Sequence, residues 1–146
     1  MSKKDSNNLN ELLATLFNSI MITESKVIIT EEFKDISHND MHIIEAVGIE
    51  EPRKMSEIAK RLGVTVGTLT TNINSLERKN YVIRERSDSD KRVVFVTLTE
   101  RGRKAFFYHR DFHKKLIRSV VSEFSSDEKE VLMRCLNKLN DFFTND

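Results

Sequence analysis

The sequence predicts a mainly helical chain with one small β-hairpin, and three observations carry that expectation. Four Gly and one Pro in 146 residues are too few for the frequent turns of a sandwich or barrel. Apolar residues recur at i, i+3, i+4 and i+7 in several long stretches, which is the helical period. YVIRE and RVVFVTL are rich in β-branched and aromatic residues, as strands are. The length suits a single domain over 1–146. With 38% hydrophobic and 32% charged residues, no apolar run approaches the roughly 18 residues that a membrane span needs. Cys135 stands alone, which excludes an internal disulfide. The start MSKKDSNN lacks the apolar centre of a signal peptide, so a cytoplasmic protein is expected.

The first helix is read from Leu9, Leu12, Leu13, Leu16, Phe17 and Ile20, one amphipathic face that continues to about Ile29. Ser37 is an N-cap, with Asp40 three residues later, for a second helix through Met41, Ile44 and Val47 to Gly48. After Pro52, SEIAKRL forms a short helix from Ser56 that Gly63 ends, a residue tolerant of the left-handed turn. Thr65 caps the next helix, VGTLTTNINSLERKN, with Val66, Leu69, Ile73 and Leu76 as its buried stripe. The two apolar-aromatic strands follow, separated by the polar tip RSDSDK. Thr99 caps a long helix to about Val121, and Ser125 with Glu128 makes a capping box for the last one. That helix carries Val131, Leu132, Cys135, Leu136, Leu139, Phe142 and Phe143 on one stripe.

Two short helices joined by a sharp turn and followed by a hairpin make a winged helix-turn-helix over 53–99, flanked by dimerisation helices in 1–36 and 100–146. Charge agrees with a double-stranded DNA partner. Residues 1–52 hold 4 Lys and Arg against 10 Asp and Glu, residues 53–92 hold 10 against 5, and residues 93–146 hold 10 against 8. The basic middle is therefore the part suited to an anion. In this arrangement the second helix enters the major groove and the hairpin tip reaches the backbone or the minor groove. Thr65, Thr68, Thr70, Thr71, Asn72 and Asn74 supply short hydrogen-bonding side chains for bases or phosphates. Arg84, Arg86, Lys91 and Arg92 surround the tip and neutralise phosphates. The first and last helices each present an apolar stripe that a small central module cannot cover alone. The stripes pair either with each other and the fifth helix inside one protomer or with a second copy, and a two-fold operator favours the homodimer.

The segment MSEIAKRLGVTVGTLTTNINSLERKNYVIRERSDSDKRVVFVTLTERGR resembles the DNA-binding core of the MarR family of dimeric winged-helix regulators. The features in common are the SEIAKRLGV opening, the LERKNYV exit, the Asp90-Lys91-Arg92 wing tip and LTERG. Within the family, FKDISHNDMHIIEAVG and VTVGTLTTNINSLERK are most similar to the branch that represses fatty-acid-synthesis genes. The resemblance implies a repressor whose operator affinity rises with a long-chain acyl group on acyl carrier protein. It also implies that Arg92 enters the minor groove with Asp90 orienting it, while Lys91 replaces a more usual Arg and so loses a bidentate phosphate contact.

His109 and His113 lie four apart on one helix, the spacing of paired metal ligands. With Glu24 and His42 they resemble the ligand set of zinc-sensing members of the family, although Met41, Thr30 and Tyr108 stand where those sensors offer further ligands. Two expectations stay open: hydrogen-bonded structural histidines, or a zinc site in a zinc-responsive repressor of metal-uptake genes. A metal-dependent enzyme is the rival class, but the sequence has neither a phosphate-binding glycine loop nor a recognisable nucleophile motif, so no activity and no required cofactor is expected. Cys135 reads as a small hydrophobe. Phe106, Phe107, Ile44 and Ile20 are apolar residues that an acyl effector would touch.

Overall fold

The structure, a computed structural model, describes residues 3–28 and 32–144. They belong to two compact units, Met1–His109 and Arg110–Asp146. The elements in order are α1 (Lys3–Ile28), α2 (His38–Val47), β1 (Arg53–Lys54), α3 (Met55–Leu62), α4 (Val66–Arg78), β2 (Val82–Arg86), β3 (Val94–Leu98), α5 (Glu100–Val121) and α6 (Ser126–Thr144). The mainly helical fold with a small sheet is the one the sequence predicts. The expected first-helix end at Ile29 and the position Thr30 lie outside the described residues.

Local chemistry sets the boundaries. Ser37 Oγ accepts from Asp40 N at 3.1 Å while Asp40 Oδ2 accepts from Ser37 N at 3.0 Å, a reciprocal capping box. The same Asp40 oxygen pairs with Lys79 Nζ at 3.0 Å, so this nearly buried carboxylate both starts α2 and ties it to the end of α4. Gly63 closes α3 in the left-handed region, at φ 65° and ψ 30°. There its N–H donates to Lys60 O and that of Val64 to Ala59 O, which satisfies carbonyls the helix leaves unpaired. Asn80 plays the same part for α4 at φ 63°, with Asn80 N donating to Glu77 O and Tyr81 N to Leu76 O. Asn is among the few side chains that accept this conformation at small cost.

The start of α3 and the make-up of the sheet differ from expectation. The helix expected from Ser56 starts at Met55, where Glu57 Oε2 accepts from Lys54 N at 3.2 Å. The expected two-stranded hairpin is the larger part of a three-stranded antiparallel sheet, ordered β1-β3-β2. Arg53 pairs with Val96 and Lys54 with Phe95. A two-residue strand of charged side chains directly after Pro52 has no apolar alternation to announce it.

The core of the first unit joins Ile44 and Val47 of α2, Ile58 of α3, Leu69, Ile73 and Leu76 of α4, Tyr81, Val82, Val96 and Ala105. Val66, expected on that stripe, is instead 47% exposed: as the first residue of α4 it precedes the turn that packs inward. In the second unit α6 has no buried residue. No described helix is long and apolar enough to cross a membrane.

Candidate nucleic-acid interface

α4 buries Leu69, Ile73 and Leu76 and turns the rest of its surface outward. Thr65, Thr68, Thr71 and Asn74 are exposed, and Thr70 and Asn72 half-buried. Three of these hydroxyls have local duties. Thr65 Oγ1 caps the helix by accepting from Thr68 N at 3.1 Å and shares a hydrogen bond with Thr68 Oγ1 at 2.9 Å, and Thr70 Oγ1 donates to Val66 O at 2.7 Å. The side chains best placed to contact an external partner are therefore those of Thr71 and Asn74, with Thr68 also exposed.

The wing tip is built around Asp90. Its Oδ1 accepts from Arg92 N at 3.0 Å and from Arg92 Nε at 3.2 Å, and Oδ2 accepts from Arg92 Nη2 at 3.4 Å. The Arg92 hydrogen bonds hold the Asp90 carboxyl below its usual range. The Arg92 side chain nevertheless remains 92% exposed, so the pairing orients a guanidinium without hiding it. Lys91 Nζ lies 3.2 Å from Asp88 Oδ1 at the same tip, and Arg86 is exposed. Arg84 is differently employed: its backbone N, Nε and Nη2 all bond the Glu77 carboxylate, clamping β2 to α4. A cavity of about 300 Å³ between α4 and the wing is lined by Lys54, Ser56, Thr70, Arg84 and Arg92 among others. Of these, Lys54, Arg92 and the Ser56 hydroxyl suit the phosphate backbone of a nucleic acid, while Arg84 and Thr70 are held by Glu77 and Val66.

The group that anchors this assembly has no local signature in the sequence. Tyr81, fully buried, donates its hydroxyl to Asp35 Oδ1 at 2.7 Å. The Arg101 guanidinium sits 4.4 Å from the centre of its ring, bonds Asp35 at 3.1 Å and donates to Lys79 O at 2.7 Å. Burial and the Asp35 hydrogen bond push the Tyr81 phenol far up, so it remains a donor. For Asp35, burial acts upward but is outweighed by the Tyr81 hydrogen bond and the Arg101 charge, and its carboxyl is lowered. The loop before α2, the end of α4 and the start of α5 are thus joined around one aromatic ring.

Three of the four histidines meet carboxylates within the first unit. His38, not singled out in the sequence, places Nε2 2.5 Å from Oε2 of the buried Glu24. Its ring meets that of His42 edge-on at 4.3 Å between centroids. His42 Nδ1 is 3.5 Å from Glu45 Oε2, and the buried His109 sets Nδ1 2.7 Å from Glu45 Oε1. His113 belongs to the second unit, with its ring against Phe112 at 5.6 Å. The contacts of His38 and His109 span 14 and 64 residues of chain and leave no signature in local spacing.

Comparison with known proteins agrees with this geometry. The MarR family pattern matches residues 34–93. FabT of Streptococcus pneumoniae, whose crystal structure is of a complex with DNA, is 36% identical, with a TM-score of 0.92 over 96% of this chain and 98% of that one. The transcriptional regulator SarZ of Staphylococcus saprophyticus subsp. saprophyticus is 30% identical over 94% of this chain and 96% of its own length. MepR of S. aureus, also solved with DNA, shares the fold at 21% identity and a TM-score of 0.74, covering 91% of this chain and 94% of that one. This chain belongs to the MarR family of DNA-binding transcriptional regulators.

Proposed function

We propose that the protein is a cytoplasmic, homodimeric repressor of fatty-acid-synthesis genes whose grip on its operator is strengthened by long-chain acyl groups on acyl carrier protein. The observation that carries the DNA-reading half is the wing tip: an almost fully exposed Arg92 aimed by Asp90, beside a helix that turns Thr68, Thr71 and Asn74 to solvent. α4 lies in the major groove and reads base edges, while Arg92 enters the adjacent minor groove. Lys91, Arg86 and Lys54 of the cleft hold phosphates.

The homodimer is supported by apolar surface in both units. In α1, Leu12 and Phe17 are 67% and 66% exposed, and in α6, Phe142 and Phe143 are 70% and 73% exposed. Such surface is out of place on a monomer and is what a second copy covers. The fatty-acid reading is supported by the likeness to FabT and by the two segments that resemble its branch. Among the apolar residues expected near an acyl chain, Ile20 is accessible, whereas Ile44 is fully buried and Phe106 packs partly against the core. A chain that reaches them has to displace core contacts, and an effector that prefers the displaced arrangement shifts the equilibrium between states.

The test is a gel shift on the duplex upstream of the protein's own gene, with and without acyl carrier protein carrying a long chain. Tighter binding with the acylated carrier, and not with the bare one, supports the reading. Unchanged or weakened binding overturns the effector assignment.

A further inference from the structure

We propose that Glu24, His38 and His42 form a binding site for one divalent transition-metal ion of the zinc class, held entirely within the first unit. The ligand atoms of these three side chains lie within 4.8 Å of one another. α1 supplies the carboxylate and the first two turns of α2 supply both imidazoles, four residues apart and therefore on one face. The composition selects the ion. Two nitrogens and one carboxylate oxygen suit zinc and its neighbours, whereas magnesium and calcium want oxygen ligands throughout.

The surroundings are those of a metal ligand set. Glu24 is 6% exposed, so its carboxylate faces protein groups and not bulk water. His38 Nε2 faces that carboxylate at 2.5 Å, and an ion entering between them widens the pair to the spacing set by metal–ligand bonds of about 2.0–2.2 Å. Behind His42 stands Glu45 Oε2, 3.5 Å from Nδ1, the kind of outer carboxylate that orients a ligating imidazole and raises its basicity. The His42 side chain is 46% exposed, which opens a path for the ion and leaves a fourth position to solvent. The site shares Glu24 and His42 with the set implied by the family resemblance and differs from it in taking His38 in place of His109 and His113.

The experiment is calorimetric titration of the full-length protein with zinc, in parallel with cobalt(II), whose visible d–d absorption reports nitrogen ligation. The expected result is one ion per chain. His38→Gln is expected to weaken binding by at least about 10-fold, the lower end of what loss of even an outer partner does, and His113→Gln to leave it unchanged. Circular dichroism in chelator checks that each variant is folded. If His38→Gln does not fold, Glu45→Gln replaces it, with a loss of affinity again expected. Failure of the parent to bind either ion overturns the proposal. So does full binding by the folded His38→Gln or Glu45→Gln variant, and so does loss of binding in His113→Gln, which would place the ion on the other ligand set. None of these outcomes bears on whether acyl carrier protein is the effector.

Discussion

Replacing Gly102 with Ala should destabilise the protein, although helix propensity alone argues the opposite. Gly102 lies in the first turn of α5, where its N–H donates to Thr99 Oγ1 at 3.0 Å. A Cβ built on it meets Tyr81 O at 2.0 Å, Tyr81 C at 3.0 Å and Leu98 Cβ at 3.3 Å. The first obstacle is backbone, held by Thr99 N at 3.0 Å and continuous with the buried Tyr81 ring, so it cannot swing aside as a side chain tip can. α5 must back away from the wing by roughly 1 Å. Overpacking of this kind costs about 1–3 kcal/mol, and the rigid partner places this site near the upper end. Against that, Gly to Ala gains about 1 kcal/mol in a helix. The net loss is about 2 kcal/mol, or a fall in Tm of roughly 5–10 °C. Urea denaturation followed by circular dichroism reads the first figure and a thermal melt the second. A G102A protein as stable as the parent, or about 1 kcal/mol more so, would refute the close approach of α5 to the wing.

Arg92→Ala should weaken binding to all duplexes and lower the slope of log affinity against log salt by about one, the share of one phosphate contact; an unchanged slope would remove Arg92 from the interface. Asn74→Ala should cost about 1–3 kcal/mol on the operator and little on unrelated DNA, measured by competition between the two duplexes. Thr65→Ala removes the cap on Thr68 N and should lower stability by about 1 kcal/mol, read as a shift in the urea midpoint. Glu77 has a pH signature. The Arg84 hydrogen bond and charge lower its carboxyl, with burial opposing. A lowered folded value means that the stabilisation is present above the unfolded pKa and is lost as pH falls through the folded one. Glu77→Gln should therefore lower the urea midpoint at neutral pH, and its difference from the parent should narrow as pH falls below the ordinary glutamate range of about 4.3; a difference that stays constant with pH would contradict the ion pair.

What could be read in the sequence was local. The Ser37/Asp40 and Ser125/Glu128 boxes need only residues three apart, and both are formed. Gly63 and Thr65 mark the turn between α3 and α4 because a left-handed residue and a cap are the physical requirements of that turn. The wing tip was legible for the same reason, since Asp90 and Arg92 are two residues apart. The remainder depends on folding distant segments together. Arg84 was read as free for phosphate, but Glu77 on the preceding helix claims it. The Tyr81, Asp35 and Arg101 cluster joins residues up to 66 apart, and periodicity cannot indicate such a meeting. His38 was passed over because its partner lies on a different helix, and β1 because two charged residues have no pattern of their own.

The central claim is that α4 and the wing read a particular duplex. Fluorescence anisotropy on the DNA upstream of the protein's own gene, against a scrambled duplex of equal length and composition at one fixed physiological salt concentration, tests it directly. The account predicts a preference of at least about 1,000-fold for the native duplex, reduced toward parity by Asn74→Ala combined with Thr71→Ala. Equal affinity for the two duplexes, or a preference untouched by those substitutions, would contradict it.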